Sequence, residues 1–439
     1  MDRPCSRGRR LTRTAQPRRP RSGGRLRAAA VALLVVLAVS ACGLDPNTPA
    51  PSERPSGSPR PSPELGIDWG RSAPVERPDE AFVRATPTPG PTERSDIVRS
   101  GHPLHFPGQA IMADVAGSPD GGFVSVGYVY PGWRPVAWTS ADAVTWSLSR
   151  MGTTEFTFPV ALAVRGSTIV AVGRSGTRPL AWSSADGRTW QEHDVPTLGT
   201  NGVAERMTTV IATPFGFLAG GSVGPELFER HARFWISADG NTWQPVADDD
   251  TAFANAEVRS IVPWGTGFVA VGVLGSGQRP TGSVAWTSPD GQHWTRIDAP
   301  ELLLGRAVAL VTAPFGGLVA VGADLNEHEA FVWLSEDGSS WRLVPGEASR
   351  QYHGKVRMTD VVAVGSHLVA IGNYVGLQRG TATSWVSDDG LHWRRSRDAP
   401  VLEQGEPYAV TTGGPGLIAV GSFGAPDDYI PTVWLSPSN

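Results

Sequence analysis

The chain has 439 residues, a formal net charge of −4, and two cysteines against sixteen tryptophans. So few cysteines exclude a disulfide framework, and the acidic balance makes the body of the protein a poor partner for nucleic acid or an anionic lipid surface. The length allows one large domain or several small ones, a choice that internal repeats decide.

Residues 1–41 read as an export leader. Ten arginines and a single acid, Asp2, precede an uncharged apolar run from Ala28 to Val39, followed by Ser40-Ala41-Cys42. A basic start, a short apolar core and small residues mark a secretion signal. The run is too short for a spanning helix, which needs about 20 residues. Val39-Ser40-Ala41-Cys42 resembles a bacterial lipobox. The resemblance implies cleavage before Cys42, diacylglycerol on its thiol and an acyl chain such as palmitate on the new amino terminus. The chain is therefore expected at the cell membrane, held by the lipid on Cys42 and facing the extracytoplasmic side. Arg9-Arg10 and Arg18-Arg19 leave twin-arginine and general export both open. Cys5 belongs to the leader, so Cys42 would be the sole cysteine of the mature chain, with no thiol left for catalysis or metal binding in the folded part. Removing the ten arginines and Asp2 leaves 28 basic against 41 acidic residues, a net charge of −13.

Residues 42–95 contain PNTPAPSERPSGSPRPSPELG and RATPTPGPTERSD. Such Pro/Ser/Thr/Gly composition offers too little apolar surface to offset ordering entropy, so a disordered tether is expected. A proline-rich ligand for a partner is the alternative.

From 96 to 439 one phrase recurs seven times at spacings of about 44–53 residues. An apolar strand ends in glycine, a variable loop follows, and a second strand leads to paired tryptophans. The first of these strands are GFVSVG (122–127), TIVAVG (168–173), GFLAGG (216–221), GFVAVG (267–272), GLVAVG (317–322), HLVAIG (367–372) and GLIAVG (416–421). Repeats of this length point to a propeller or a solenoid. With Val, Phe, Trp and Gly abundant and no helical stripe, each unit reads as a four-stranded antiparallel sheet. The expected fold is all-β, a seven-bladed propeller, acting as a monomer.

Six units close on a near-copied hairpin: WTSADAVTW (138–146), WSSADGRTW (182–190), WISADGNTW (235–243), WTSPDGQHW (286–294), WLSEDGSSW (333–341) and WVSDDGLHW (385–393). Treating Pro289-Asp290-Gly291 as a three-residue hairpin loop sets Ser288 against Gln292 and Trp286 against Trp294, a cross-strand tryptophan pair. The aspartate is expected to accept from backbone N–H groups of the turn. Ala143 stands where the other copies have a left-handed glycine, at a cost of about 1 kcal/mol. The seventh copy stops at WLSPSN, so its fourth strand must come from elsewhere. Counting back one repeat selects DIVRSGH (Asp96–His102), which would close the ring. A solenoid has no use for that exchange and needs polar end caps instead.

Ser-x-Asp-Gly-x-(Thr/Ser/His)-Trp is similar to the Asp-box, or BNR repeat, of sialidase-like β-propellers, one residue shorter than the usual box. The residues that carry it are Ser140, Asp142 and Trp146; Ser184, Asp186 and Trp190; Ser237, Asp239 and Trp243; Ser288, Asp290 and Trp294; Ser335, Asp337 and Trp341; and Ser387, Asp389 and Trp393. The resemblance implies that the boxes build turns, away from any active centre.

Recognition is then expected from the loops between second and third strands, which vary while the scaffold repeats. Arg134, Arg178 and Arg279 each precede a proline, and Arg379 lies nearby in its own copy. Leaning inward they would ring one mouth with guanidinium groups suited to carboxylate or phosphate; Tyr128, Tyr130, Trp133 and Tyr374 would add stacking surface. The plainer reading is a solvated rim of ion pairs. A sialidase needs an arginine triad, a Tyr/Glu pair and an Asp acid, and these motifs cannot be matched here. Asp248-Asp249-Asp250 offers hard oxygen ligands for calcium, though three consecutive acids point different ways and read better as a solvated run. Glu327-His328-Glu329 is a candidate acid–base cluster with no identifiable nucleophile. Neither His102-x-x-His105 nor the single lysine, Lys355, carries a metal or catalytic pattern. The chain therefore reads as a membrane-anchored binding or scaffold module for a protein partner or an envelope glycan, with no cofactor and no metal. The alternatives are a sialidase-like glycoside hydrolase at the propeller mouth and an assembly factor for a membrane complex.

Overall fold

The computed structural model describes residues 67–439, apart from 70, 74, 77–108, 198–202, 225–229, 248, 277–278, 345–354, 376–379, 397–399, 415, 425–428 and 438–439. Residues 1–66, with the leader and Cys42, lie outside the described residues, as do Asp96–His102, His105, Asp248 and Arg379.

Seven four-stranded antiparallel sheets stand around one axis. The chain is a seven-bladed β-propeller. The inner strands of blades 1 to 7 are Ala110–Gly117, Thr157–Arg165, Glu205–Thr213, Ala256–Trp264, Gly305–Thr312, Lys355–Val364 and Gly405–Gly413. Each is followed by the apolar strand that opens the repeated phrase, for example Gly216–Val223, buried along its whole length. Such strands are buried on both faces because each sheet lies between two others. The hydrophobic core is accordingly divided into seven wedges, each joining adjacent blades. Phe234, Phe253, Trp286 and Trp294 fill the wedge between blades 3 and 4, and Ile418, Leu435, Trp138 and Trp146 the one between 7 and 1.

The ring closes on a strand from the amino-terminal side, but not the segment expected. Arg71–Ala73 supplies the fourth strand of blade 7, with Arg71 opposite Leu435, Ser72 opposite Trp434 and Ala73 opposite Val433. This stretch falls in the expected tether. Trp69, buried, enters the wedge between blades 6 and 7 and donates from Nε1 to Ser384 Oγ at 2.9 Å. Glu76 then joins blade 7 to blade 1. Its carbonyl accepts from Trp138 Nε1 (3.0 Å) and its carboxylate from Leu148 N (2.7 Å). Glu301 does the same between blades 4 and 5, accepting from Trp333 Nε1 (2.8 Å) and Leu343 N (3.1 Å). Sequence carries the cue: Ala73-Pro74-Val75-Glu76 matches Ala299-Pro300-Glu301 and Ala399-Pro400-Val401. One tryptophan amid proline-rich sequence was the other cue.

The box hairpins also differ from the expected register. Trp286 faces Arg296, not Trp294, and Thr287 faces Thr295; in blade 6, Ser387 faces Trp393. The loop is longer because side chains satisfy its backbone. Ser288 Oγ accepts from Gly291 N (2.8 Å), and Asp290 Oδ1 accepts from Gln292 N (2.8 Å) and His293 N (2.9 Å). Trp294 folds over the turn, donating from Nε1 to Gly291 O (3.0 Å), and stacks on Phe234 at 4.0 Å. With three N–H groups already bonded inside the loop, a tight three-residue connection has nothing left to gain. Ala143 does adopt the left-handed conformation, φ 60°, against 79° for Gly291.

Candidate functional site

Each inner strand skips one residue in its pairing with the second strand, between Met112 and Asp114 in blade 1 and at the same place in every other blade. The extra residue of such a bulge leaves the ladder and its side chain is re-aimed. Here the seven bulged residues, Ala113, Val160, Thr208, Arg259, Val308, Thr359 and Tyr408, all line one axial cavity of about 560 Å³. The glycine that ends each repeated strand makes room for the bulge. A Cβ on Gly322 would lie 1.7 Å from Arg306 O, and one on Gly127 1.9 Å from Ile111 O. No other residue fits beside the displaced carbonyl.

The cavity opens where inner strands begin and second strands end, on the face opposite the box hairpins. Below the bulges lies a polar tier. Asp114 accepts from Val115 N (2.8 Å) and, across the blade boundary, from Leu162 N (2.7 Å). Asp360 does the same with Val361 N and Val410 N, both at 2.8 Å. Burial pushes the Asp114 carboxyl up to about 7, against its two backbone N–H bonds and with the Asp360 charge adding to the rise. Burial likewise lifts Asp360 to about 6.

Above the bulges, toward the mouth, the side chains segregate. Blades 3 to 6 present Arg206, Glu257, Arg306 and Arg357, with the bulged Arg259 among them. Glu257 pairs with Arg259 (3.0 Å), Arg206 (3.9 Å) and, closer still, Arg230, and accepts from Ser222 Oγ (2.9 Å). Burial presses the Glu257 carboxyl upward, but these three guanidinium groups more than offset it and hold it below the usual range. Glu327 pairs with Arg306 (2.6 Å), Arg357 (3.7 Å) and Lys355 (3.7 Å). Burial lowers the Arg306 pKa, and the like charges of Arg259 and Arg357 lower it further against the pull of Glu327. Blades 1 and 2 present rings instead. Tyr128 meets Phe158 edge-on at 5.2 Å and Trp133 at 5.4 Å, and Arg174 lies 4.6 Å over the Phe158 face.

Of the loop residues singled out from sequence, Tyr128 lines this cavity. Tyr130 is buried beneath Trp133 (3.9 Å) and beside Tyr429 (6.4 Å). Arg134 is buried too, donating to Pro131 O (2.9 Å) and paired with Glu155. Arg178 is exposed and pairs with Asp194 at 3.6 Å. Arg279 is exposed, at a hairpin end opposite Ser276. Tyr374 packs on the wedge between blades 5 and 6. These arginines form no ring. The arginines that do gather come from inner strands: ERMTTV, EVRSIV, GRAVALV and KVRMTDV. The legible cue was a charge interrupting an apolar strand at one repeated register.

No family model and no curated protein matches the chain. Its fold resembles that of solved propellers at low identity. YCF48 bound to D1 peptide aligns at TM-score 0.51 and 15% identity over 76% of this chain and 94% of that one. An ulvan lyase of a new polysaccharide lyase family aligns at 0.49 and 11%, over 75% and 94%. A Trypanosoma rangeli sialidase mutant displaying trans-sialidase activity aligns at 0.42 and 12%, over 64% and 54%. The likeness is one of fold.

Proposed function

We propose that the chain is a lipid-anchored extracytoplasmic propeller, working as a monomer, that binds a protein partner at the mouth of its axial cavity. The observation that carries this reading is the set of seven bulges, which turn seven side chains of five kinds, on one repeated backbone, into one open cavity. Repetition of backbone with divergence of side chain is how a scaffold builds a recognition site. The leader and Cys42 support the anchor, and a propeller of similar fold holds a peptide. Binding fits the cavity better than hydrolysis. Glycosidase chemistry needs a carboxyl group available to donate and accept protons, whereas Asp114 and Asp360 brace neighbouring blades and Glu257 and Glu327 are covered by arginines.

The test places a photo-crosslinking residue at Arg259 in the cavity or at Asn241 on the box face, in membranes carrying the full chain. A discrete protein adduct from the Arg259 position alone is expected. Adducts from the Asn241 position alone would move the recognition face to the opposite side. Labelled palmitate should enter the wild type and not Cys42→Ser; equal labelling removes the anchor.

A further inference from the structure

The mouth is divided: a cationic arc on blades 3 to 6 faces an apolar, ring-lined wall on blades 1 and 2. The arc stands out against a chain whose net charge is negative. Its two glutamates serve as hubs, each shared among three cations: Glu257 by Arg206, Arg230 and Arg259, and Glu327 by Arg306, Lys355 and Arg357. The Glu327 carboxylate can neutralise one of Arg306, Lys355 and Arg357, and Arg259 beside Glu257 adds a further guanidinium, so the arc keeps net positive charge toward the cavity. The carboxylates also fix the planar guanidinium groups, which suits them to paired recognition of oxyanions. The two clusters are neighbours, since Arg306 feels the charges of both Arg259 and Arg357. A ligand that fits must therefore bring more than one negative charge.

On the other wall, Phe158 and Tyr128 meet edge to face, and Arg174 covers one face of the Phe158 ring. With Ile111 and Val160 these rings make a hydrophobic ledge. Residues with carboxylates and residues with apolar side chains occur together in a polypeptide, while a polyuronate supplies the charges without the apolar groups.

Resting on the proposal that the mouth binds a protein, we propose that the partner presents an extended acidic peptide segment, two or more carboxylates seated on the Glu257 and Glu327 arginine clusters and an adjoining aromatic or aliphatic side chain on the Tyr128–Phe158 wall. Charge complementarity at a concave, partly desolvated mouth supplies both affinity and sensitivity to salt.

The experiment uses the full lipidated chain in detergent micelles and fluorescein-labelled ten-residue peptides. One carries four glutamates followed by two phenylalanines, a second has glutamine for every glutamate, and a third has serine for both phenylalanines. The first should bind tightest, and each replacement should weaken binding at least tenfold. Arg259→Glu together with Arg357→Glu should abolish the advantage of glutamate over glutamine, and Phe158→Ala should abolish only the advantage of phenylalanine over serine. An unchanged thermal midpoint shows that the doubly charge-reversed protein is folded; Arg259→Gln with Arg357→Gln, a milder change, should give a smaller loss in the same direction. Equal binding of the glutamate and glutamine peptides overturns the proposal, as does wild-type binding by the charge-reversed protein. Tighter binding of polygalacturonate than of any peptide would make the ligand a glycan and also overturn it. A protein adduct at the Arg259 position combined with indifference to peptide charge would leave the binding face in place and remove only this assignment.

Discussion

The two faces of the propeller use repetition in opposite ways. On the box face, sequence and structure repeat together: serine, aspartate and tryptophan satisfy the turn from within, and the Asp337 carboxyl is held down at about 2 by the backbone N–H groups of Ser340 and Ser339. At the mouth only the backbone repeats. The bulge and its glycine recur in every blade, while the residues they aim inward run from Ala113 to Arg259 to Tyr408. A repeated motif with all its polar groups internally bonded has little left to offer a ligand. A repeated backbone with changing side chains can encode one.

That contrast can be tested most severely at the closure, where a tether residue takes a place in the wedge between blades. Trp69→Ala removes a buried ring and should lower unfolding free energy by about 3–5 kcal/mol in denaturant titration. A loss below about 1 kcal/mol would mean that Arg71–Ala73 does not close the ring. Next in size, Gly322→Ala sets a Cβ against Arg306 O and should cost about 3 kcal/mol. The control, Gly166→Ala, meets open space at φ 57° and should cost about 1 kcal/mol. Equal costs would show that the bulge does not need its glycine.

An effect of comparable size concerns the polar tier. The Asp114 carboxyl is raised on folding, so the native state holds its proton more tightly than the unfolded chain does. Its contribution is fully present below the ordinary aspartate range and is lost as pH rises through about 7. Stability should therefore fall between about pH 4 and 7 by up to about 4 kcal/mol attributable to this group, about 1.4 kcal/mol for each pH unit crossed. Asp114→Asn should flatten that part of the profile; an unchanged slope would assign it to other groups. Smallest of all, Ala143→Gly relieves a left-handed alanine worth about 1 kcal/mol but deletes a buried methyl worth about 0.8 kcal/mol. Its stability should stay within about 0.5 kcal/mol of wild type, whereas a full 1 kcal/mol gain would show that the methyl packs against nothing of value.

Local patterns carried the blade count, the strand order within each blade, the truncated seventh copy and the need for an amino-terminal strand. They misplaced that strand because Arg71–Ala73 is too short and too polar to look like one; three residues suffice only because Trp434 and its neighbours already form the sheet edge. They also set Trp286 against Trp294, because a turn rule sees backbone and not the serine and aspartate side chains that lengthen the loop. The arginines beside prolines drew notice for their type, yet Arg134 is spent on Glu155 and Arg178 lies at the rim.

Periodicity and turn chemistry, properties of neighbours in the chain, were enough to determine seven sheets and their repeated hairpins. Which side chains share the axis depends on a bulge in each inner strand and on closure of the ring, and both arise from pairing between distant residues. For that reason Arg206, Arg259, Arg306 and Arg357, far apart in sequence, become one site only in the folded propeller.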